Sequence, residues 1–518
     1  MRFFLWFSLS LALSSCVQPV HQKESNLKPI IIVHSNDIHG RAWPFIREDG
    51  KQVGGYAAQA WLVSKIRKEA KEKRAAFLLL SAGDVNTGVP ESDFSEAEPD
   101  FKSMVRIGYD AMVVGNHDLD RGMELLLKQL SWVNFPFLAS NLKLKTNHSL
   151  LFPSDVTLNR EGLKFGIFGV TTDELRKLIL PEHGRKLLLE DSIQTAQKIT
   201  SKLKQSGSNI VIALSHLGVG QSGLSLHRYI FNDDRKLARS ISDIDLVVGG
   251  HSHTFIENGI REGNALIVQA GYRGDHIGRI DMLWDTTRNQ IVSSKAELLE
   301  VDPLKGEDNE IKNLLEPYRK KYEQELDVPV FETSEAILGQ RNQTHNLEIP
   351  MGNLVCDALR TETQTDIAFF NSGGLRAGLP LGIVRRRHIL EALPFKNLVS
   401  TGLLKGRDVI QLLNDGLQAG KYAGAVLQVS GLSYEIKSGK VRGVKIGKTP
   451  IELNKDYSFS TNSYVASGGD KLKAIRKARN LENSPSTVDE VLTSYLSKEK
   501  KIDTRIEGRI LLKDALNQ

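Results

Sequence analysis

The chain has 518 residues, more than one ordinary hydrophobic core organises, so at least two domains are expected. An apolar share of 40% and a charged share of 25% exclude a disordered chain, a collagen-like repeat and a multi-span membrane protein. The net charge is only +6, and the basic clusters are limited to Arg385-Arg386-Arg387 and the C-terminal lysines, which read as solvated surface rather than a nucleic-acid-binding face.

Residues 1–15 carry one charge, Arg2, ahead of a short apolar run. That run is too short for a spanning helix and reads as the core of a secretion signal. It ends in Leu13-Ser14-Ser15-Cys16, which resembles the lipobox of bacterial lipoproteins, with Cys16 as the lipidated first residue. Acyl chains there would anchor the protein to a membrane, and polar residues 16–28 would serve as a tether. The expected location is the periplasm or cell surface. The second cysteine, Cys356, is left without a partner, so any metal site must use His, Asp and Asn.

From Pro29 onward, short apolar runs alternate with amphipathic stretches. Strands are expected at Ile30–His34, Phe77–Ser81, Met112–Gly115, Phe137–Ser140, Phe165–Val170, Ile210–Leu214, Leu246–Gly249, Ala265–Ala270 and Arg279–Trp284. Helices are expected at Tyr56–Lys71 and Ser192–Lys204. The alternation implies a layered α/β fold. A charged helical connector, Leu304–Leu326, is closed by Pro329, and a second α/β region starts near Val330.

Five of the strands lead into candidate metal ligands: Asp37 and His39, Asp84, Asn116 and His117, His216, and His251 and His253. Loops at the carboxyl ends of such strands are where ligand sites gather in layered α/β folds. Two cations about 3.5–4 Å apart need an anionic bridge, and Asp84 is the natural one. Imidazole with carboxylate suits Zn, Mn, Fe or Co better than Ca. The remaining eight histidines (His21, His34, His148, His183, His227, His276, His345 and His388) read as surface or capping residues.

The segments Asn36-Asp37-Ile38-His39-Gly40, Gly83-Asp84, Gly115-Asn116-His117-Asp118-Leu119-Asp120, Ser215-His216, Gly250-His251-Ser252-His253 and Gln269-Ala270-Gly271 resemble the calcineurin-like metallophosphoesterases, and within them the secreted 5′-nucleotidase and UDP-sugar hydrolase family. The resemblance implies an N-terminal four-layer α-β-β-α sandwich over residues 29–303. A linker helix at 304–329 would join it to a smaller α+β nucleotide-binding domain at 330–518. Asp37, His39, Asp84 and His253 would hold one divalent transition metal, and Asp84, Asn116, His216 and His251 the other. His117, oriented by Asp120, would contact the phosphoryl oxygens while metal-bound hydroxide attacks phosphorus. Asp118 stands where Glu is frequent in the family and is given no ligand role.

In the C-terminal half, Asn371-Ser372-Gly373-Gly374-Leu375-Arg376, Leu393-Pro394-Phe395 and Tyr464 to Asp470 look like the family's C-terminal domain. Phe395 and Tyr464 could stack on a nucleobase, Asp470 could accept from a ribose hydroxyl, and Arg341 and Arg376 could grip an anion. The resemblance adds Asn371 to the nucleoside site. His345 replaces a usual arginine, and Tyr464 a usual phenylalanine. The expected activity is release of phosphate from nucleoside 5′-monophosphates. Nucleotide sugars, dinucleotides or 2′,3′-cyclic nucleotides are alternative substrates, and a non-catalytic surface nucleotide-binding or adhesion lipoprotein is the alternative of another class. The connector is the expected hinge.

Overall fold

The computed structural model describes residues 26–47, 49–86, 88–219, 232–339, 347–423 (backbone alone over 419–423), 426–499, 502 and 505–513. Cys16, Arg341, His345 and the signal segment lie outside them. Two six-stranded sheets form the centre of the N-terminal half. The first runs, edge to edge, through Gln290–Glu300, His276–Asp285, Leu27–Ser35, Ala76–Ser81, Ala111–Val113 and Phe137–Leu138. The second runs through Ile260–Glu262, Ala265–Val268, Leu246–Gly249, Ile210–His216, Leu163–Thr171 and Asp155–Arg160.

The near-continuous apolar strands dictate this stacking, because each is buried on both faces. In Leu27–Ser35, Ile30 and Ile32 point between the sheets with Leu78, Ile212 and Val248. Ile31 and Val33 point outward against Val63 and Ile66 of the helix Tyr56–Glu72 and against Phe101 and Met104 of Glu98–Ile107. Each such side chain contributes about 1.5–3 kcal/mol on burial. The second sheet is covered likewise by Ser192–Gln205 and Asp234–Ser240, through Ala196, Leu203 and Leu237. The result is the four-layer α-β-β-α sandwich.

All nine expected strands are present. The first begins at Leu27, where Leu27 and Lys28 pair with Asp285 and Trp284, so the last two residues of the expected tether belong to the sheet. His34 also differs from its surface reading: it is 1% exposed within this strand and packs on Gly278. Burial lowers its pKa to about 3, so it is a neutral core residue.

The connector is helical over Asn309–Leu326, with Asp308 capping it by accepting from the Ile311 N–H at 3.0 Å. Its first half buries Ile311 and Leu315 in the N-terminal core, and its second half packs Tyr322 and Leu326 on Leu390 of the C-terminal half. The C-terminal half has a five-stranded sheet in the order Leu427–Ser430, Ile367–Asn371, Asp456–Asn462, Leu398–Lys405 and Arg479–Thr487. Alternate residues of Ile367–Asn371 face opposite cores. Ala368 and Phe370 meet the helices Pro350–Thr363 and Val488–Lys498, while Ile367 and Phe369 meet Leu412 and Leu413 of Gly406–Ala423. No helix among the described residues is long and apolar enough to cross a membrane.

Candidate active site

The strand ends of the two sheets deliver their loops to one place. Ligand atoms of Asp37, His39 and His253 lie within 4.8 Å of one another, and so do those of Asp84, His216 and His251. Five of these residues (Asp37, His39, Asp84, His251 and His253) have φ between 51° and 71°, in the left-handed region that side chains other than glycine rarely adopt. Such strain costs on the order of 1–3 kcal/mol each and persists where surrounding structure enforces it, typically at functional sites. Glycine makes the close approach possible: a Cβ on Gly115 would collide with Asp84 Oδ1.

The donor set fits divalent metals. His216 Nδ1 lies 2.7 Å from the Ala82 carbonyl oxygen and donates to it, which leaves Nε2 as the nitrogen able to ligate a metal. That buried Nε2 has no hydrogen-bond partner; it sits 3.0 Å from Asp84 Oδ2 without hydrogen-bond geometry. Asn116 Oδ1 is likewise buried and without a partner. Burial opposes charge on His216, yet Asp84 and Asp37 beside it push its pKa up to about 10. These carboxylates call for positive charge at that position, which a cation supplies in place of the proton. In the other cluster, His39 Nε2 and His253 Nε2 face each other at 3.0 Å. Burial, with His117 nearby, lowers the His39 pKa to about 3, so its imidazole is neutral, as a ligand must be.

His117 stands at the edge of this pair. Its backbone N–H donates to Asp84 Oδ1 at 2.8 Å, and its Nδ1 donates to Asp120 Oδ2 at 2.6 Å. Burial works against the imidazolium, but Asp120 and then Asp84 outweigh it and raise the His117 pKa to about 9.

A cavity of about 600 Å³ opens over His39, His117 and His253 and is bounded on the far side by Arg376 and Phe395. The Phe395 ring stacks near His117 at 6.3 Å between centroids and 21° between planes, with the Arg376 guanidinium 5.8 Å from the Phe395 centroid. Asn371, Tyr464 and Asp470 do not line this cavity. They bond to one another instead: Tyr464 donates to Asp470 Oδ1 at 3.0 Å, and Asn371 Nδ2 to Asp470 Oδ2 at 3.0 Å. Both oxygens expected to meet a ribose hydroxyl therefore already accept a hydrogen bond, and the hydroxyl that distinguishes Tyr464 from phenylalanine supplies one of them.

Several supporting side chains carry no ligand signature in sequence. Asp118, buried between the loops, accepts four backbone N–H groups: Gly115 at 2.8 Å, Asp84 at 3.0 Å, Val85 at 3.1 Å and Asn86 at 3.2 Å. It thereby ties the loop of Asp84 to the loop of Asn116. Asn36 donates to Asp37 Oδ2 at 2.8 Å and accepts from the Ala270 N–H, and Gln269 donates to the Gly250 carbonyl. Outer partners of this kind typically change metal affinity by about 10–100-fold when removed. We expect Asp118→Asn to weaken metal binding by about that factor in calorimetric titration with Mn²⁺; an affinity within twofold of the parent would show that the clamp is dispensable.

Residues 30–255 match the calcineurin-like phosphoesterase family, and residues 329–477 match the 5′-nucleotidase C-terminal domain. A 5′-nucleotidase of Vibrio parahaemolyticus is 32% identical, with 95% of this chain and 93% of that protein aligned. The chain belongs to the 5′-nucleotidase family. Protein UshA of Escherichia coli is 30% identical over 92% of each chain. The crystal structure of a 5′-nucleotidase precursor from Thermus thermophilus superposes with a TM-score of 0.81 at 27% identity, covering 93% of this chain and 99% of that one. Membership with this pair of ligand clusters makes the protein a metal-dependent phosphoesterase that acts as a 5′-nucleotidase.

Proposed function

We propose that Asp37, His39 and His253 hold one divalent transition metal, that Asn116, His216 and His251 hold the second, and that Asp84 bridges them. The observation that carries this reading is the convergence of two ligand clusters beneath one cavity that also contains the His117 ring. A bound metal pair supplies an activated water and positive charge for the phosphoryl oxygens. The chain's own groups do the rest. His117, kept protonated by Asp120, donates to a phosphoryl oxygen as charge collects there, and Arg376 neutralises the anion from the opposite wall. Phe395 offers the aromatic face for the base, and Arg341 adds a cation from outside the described residues. Asn371, Tyr464 and Asp470 form the linked group beside this wall and present their remaining lone pairs and N–H to the nucleoside.

The substrate is a nucleoside 5′-monophosphate. Zn, Mn, Co and Fe all suit this donor set. The signal-like segment ending in Cys16 supports a location outside the cytoplasm, with a lipid on Cys16 as the membrane anchor. Phosphate release from AMP is expected with Mn²⁺ or Zn²⁺, with loss on chelation and recovery on metal addition. Release that persists undiminished after exhaustive chelation would overturn the reading.

A further inference from the structure

Asp234 opens the short helix Asp234–Ser240 on the second sheet and is fully shielded from solvent. A carboxyl buried this completely calls for a reason. Its Oδ1 accepts from Ser215 Oγ, while its Oδ2 has no hydrogen-bond partner. That second oxygen lies against Gly249, where an added Cβ would collide with it. Ser215 and Gly249 are register partners at the ends of the parallel strands Ile210–His216 and Leu246–Gly249. One carboxyl therefore spans both strands, one residue before His216 and two before His251.

The contacts continue from there to the candidate ligands. The Ser215 carbonyl accepts the Gly250 N–H at 3.0 Å, so the strand ends stay joined beyond the point that Asp234 touches. Consecutive strand residues face opposite ways. Gly249 faces Asp234, whereas a Cβ on Gly250 would stand 2.9 Å from His216 Nδ1 and 3.0 Å from Asp37 Oδ2. The glycine pair is thus a plate one backbone thick, with the Asp234 carboxyl behind it and the ligand cluster in front. The His251 N–H that follows donates to the Asp37 carboxylate. His253 is held by a separate device, since Gln269 Oε1 accepts from Ser252 Oγ at 2.9 Å and from the Thr254 N–H. Burial pushes the Asp234 carboxyl up to about 8 against the opposing Ser215 hydrogen bond. At neutral pH it is mainly the neutral acid, close in shape and charge to an asparagine amide.

We propose that Asp234 is a positioning residue for the second metal, a strut that sets the spacing between His216 and His251. The proposal rests on the two-metal reading above and adds a residue to its frame.

The test titrates metal-free protein with Mn²⁺ by calorimetry and follows AMP turnover. Asp234→Ala should weaken one of the two ions by about 10–100-fold, as loss of an outer partner does, and leave the other within about threefold. Turnover should fall at limiting Mn²⁺ and return in excess. Asp234→Asn, which keeps the shape and the acceptor for Ser215, should hold both ions as the parent does. Gly249→Ala should weaken the same ion by driving its methyl into the carboxyl. Gly249→Ala with Asp234→Ala should bind better than Gly249→Ala alone, because the methyl then fills the vacated space. A merely structural residue would lower the melting temperature without separating the two ions. That outcome, equal weakening of both ions, or additive losses in the double variant would overturn the strut. If Asp234→Ala does not fold, the other two single variants decide, and parental affinity in Gly249→Ala or loss of the ion in Asp234→Asn overturns it. A parent that takes up fewer than two Mn²⁺ would sink the two-metal reading and the strut with it, whereas a two-ion parent with unaltered variants sinks the strut alone.

Discussion

His117→Ala should lower kcat by about 10²–10⁴-fold, the range for removing a positioned proton donor, while leaving metal content as in the parent. The separation is possible because the residue plays two roles through different atoms. Its backbone N–H, which alanine retains, donates to Asp84 Oδ1 and helps hold the proposed bridge. Its ring, paired with Asp120 through Nδ1, reaches the cavity, where the proposed phosphoryl group sits. An interaction made chiefly in the transition state appears in kcat and kcat/KM together, with KM little changed. Asp120 acts through the imidazole, so the double variant His117→Ala with Asp120→Asn should be no slower than His117→Ala alone. Elemental analysis and steady-state kinetics on AMP check both statements. A single variant with more than a tenth of parental kcat would remove His117 from the chemistry.

The candidate ligand residues were legible in sequence because few residue types bind such metals and each followed an apolar strand. Strand ends of such layered sheets gather loops whatever their separation along the chain, so these residues could be assigned to one site before any geometry was known. The grouping of Asp37 with His253 was what the family resemblance implied. The groups that hold the ligands in place were not legible. Asp118 reads as a polar neighbour of His117 until the loop of residues 84–86 is seen to point three N–H groups at it. The same applies to the nucleoside side. Residue types marked Tyr464 and Asp470 as binding groups, but only their hydrogen bonds reveal that they also satisfy each other. In the fold, strands buried on both faces announced themselves as apolar runs. The edge strands Asp155–Arg160 and Gln290–Glu300 did not, because half-exposed residues leave only a weak alternation. His34 shows the converse: a polar residue inside a strand reads as surface unless its neighbour is known to be Gly278, which makes room for the ring.

Asp84→Asn should cost still more, because it removes the proposed bridge without disturbing its frame. Asparagine has the same shape, its backbone N–H can still donate to Asp118, and its side-chain oxygen can still accept from the His117 N–H. What disappears is one negative charge in a site where Asp84 is 1% exposed. Two dications about 4 Å apart repel by about 16 kcal/mol at an effective dielectric near 20, and a shared carboxylate is the direct means of offsetting that. An amide supplies one neutral oxygen and no second anionic one, so the two positions can no longer be filled together. Since loss of an outer partner alone costs about 10–100-fold in affinity, loss of the bridge is expected to exceed 100-fold, with metal content falling to one ion per chain or fewer. Activity on AMP should fall by more than the His117→Ala loss and should not return with excess Mn²⁺. The variant should remain folded, because Ile32, Leu80 and Leu214, which join the two sheets, are untouched. An Asp84→Asn protein that holds two ions and keeps half its turnover would show that the bridge lies elsewhere.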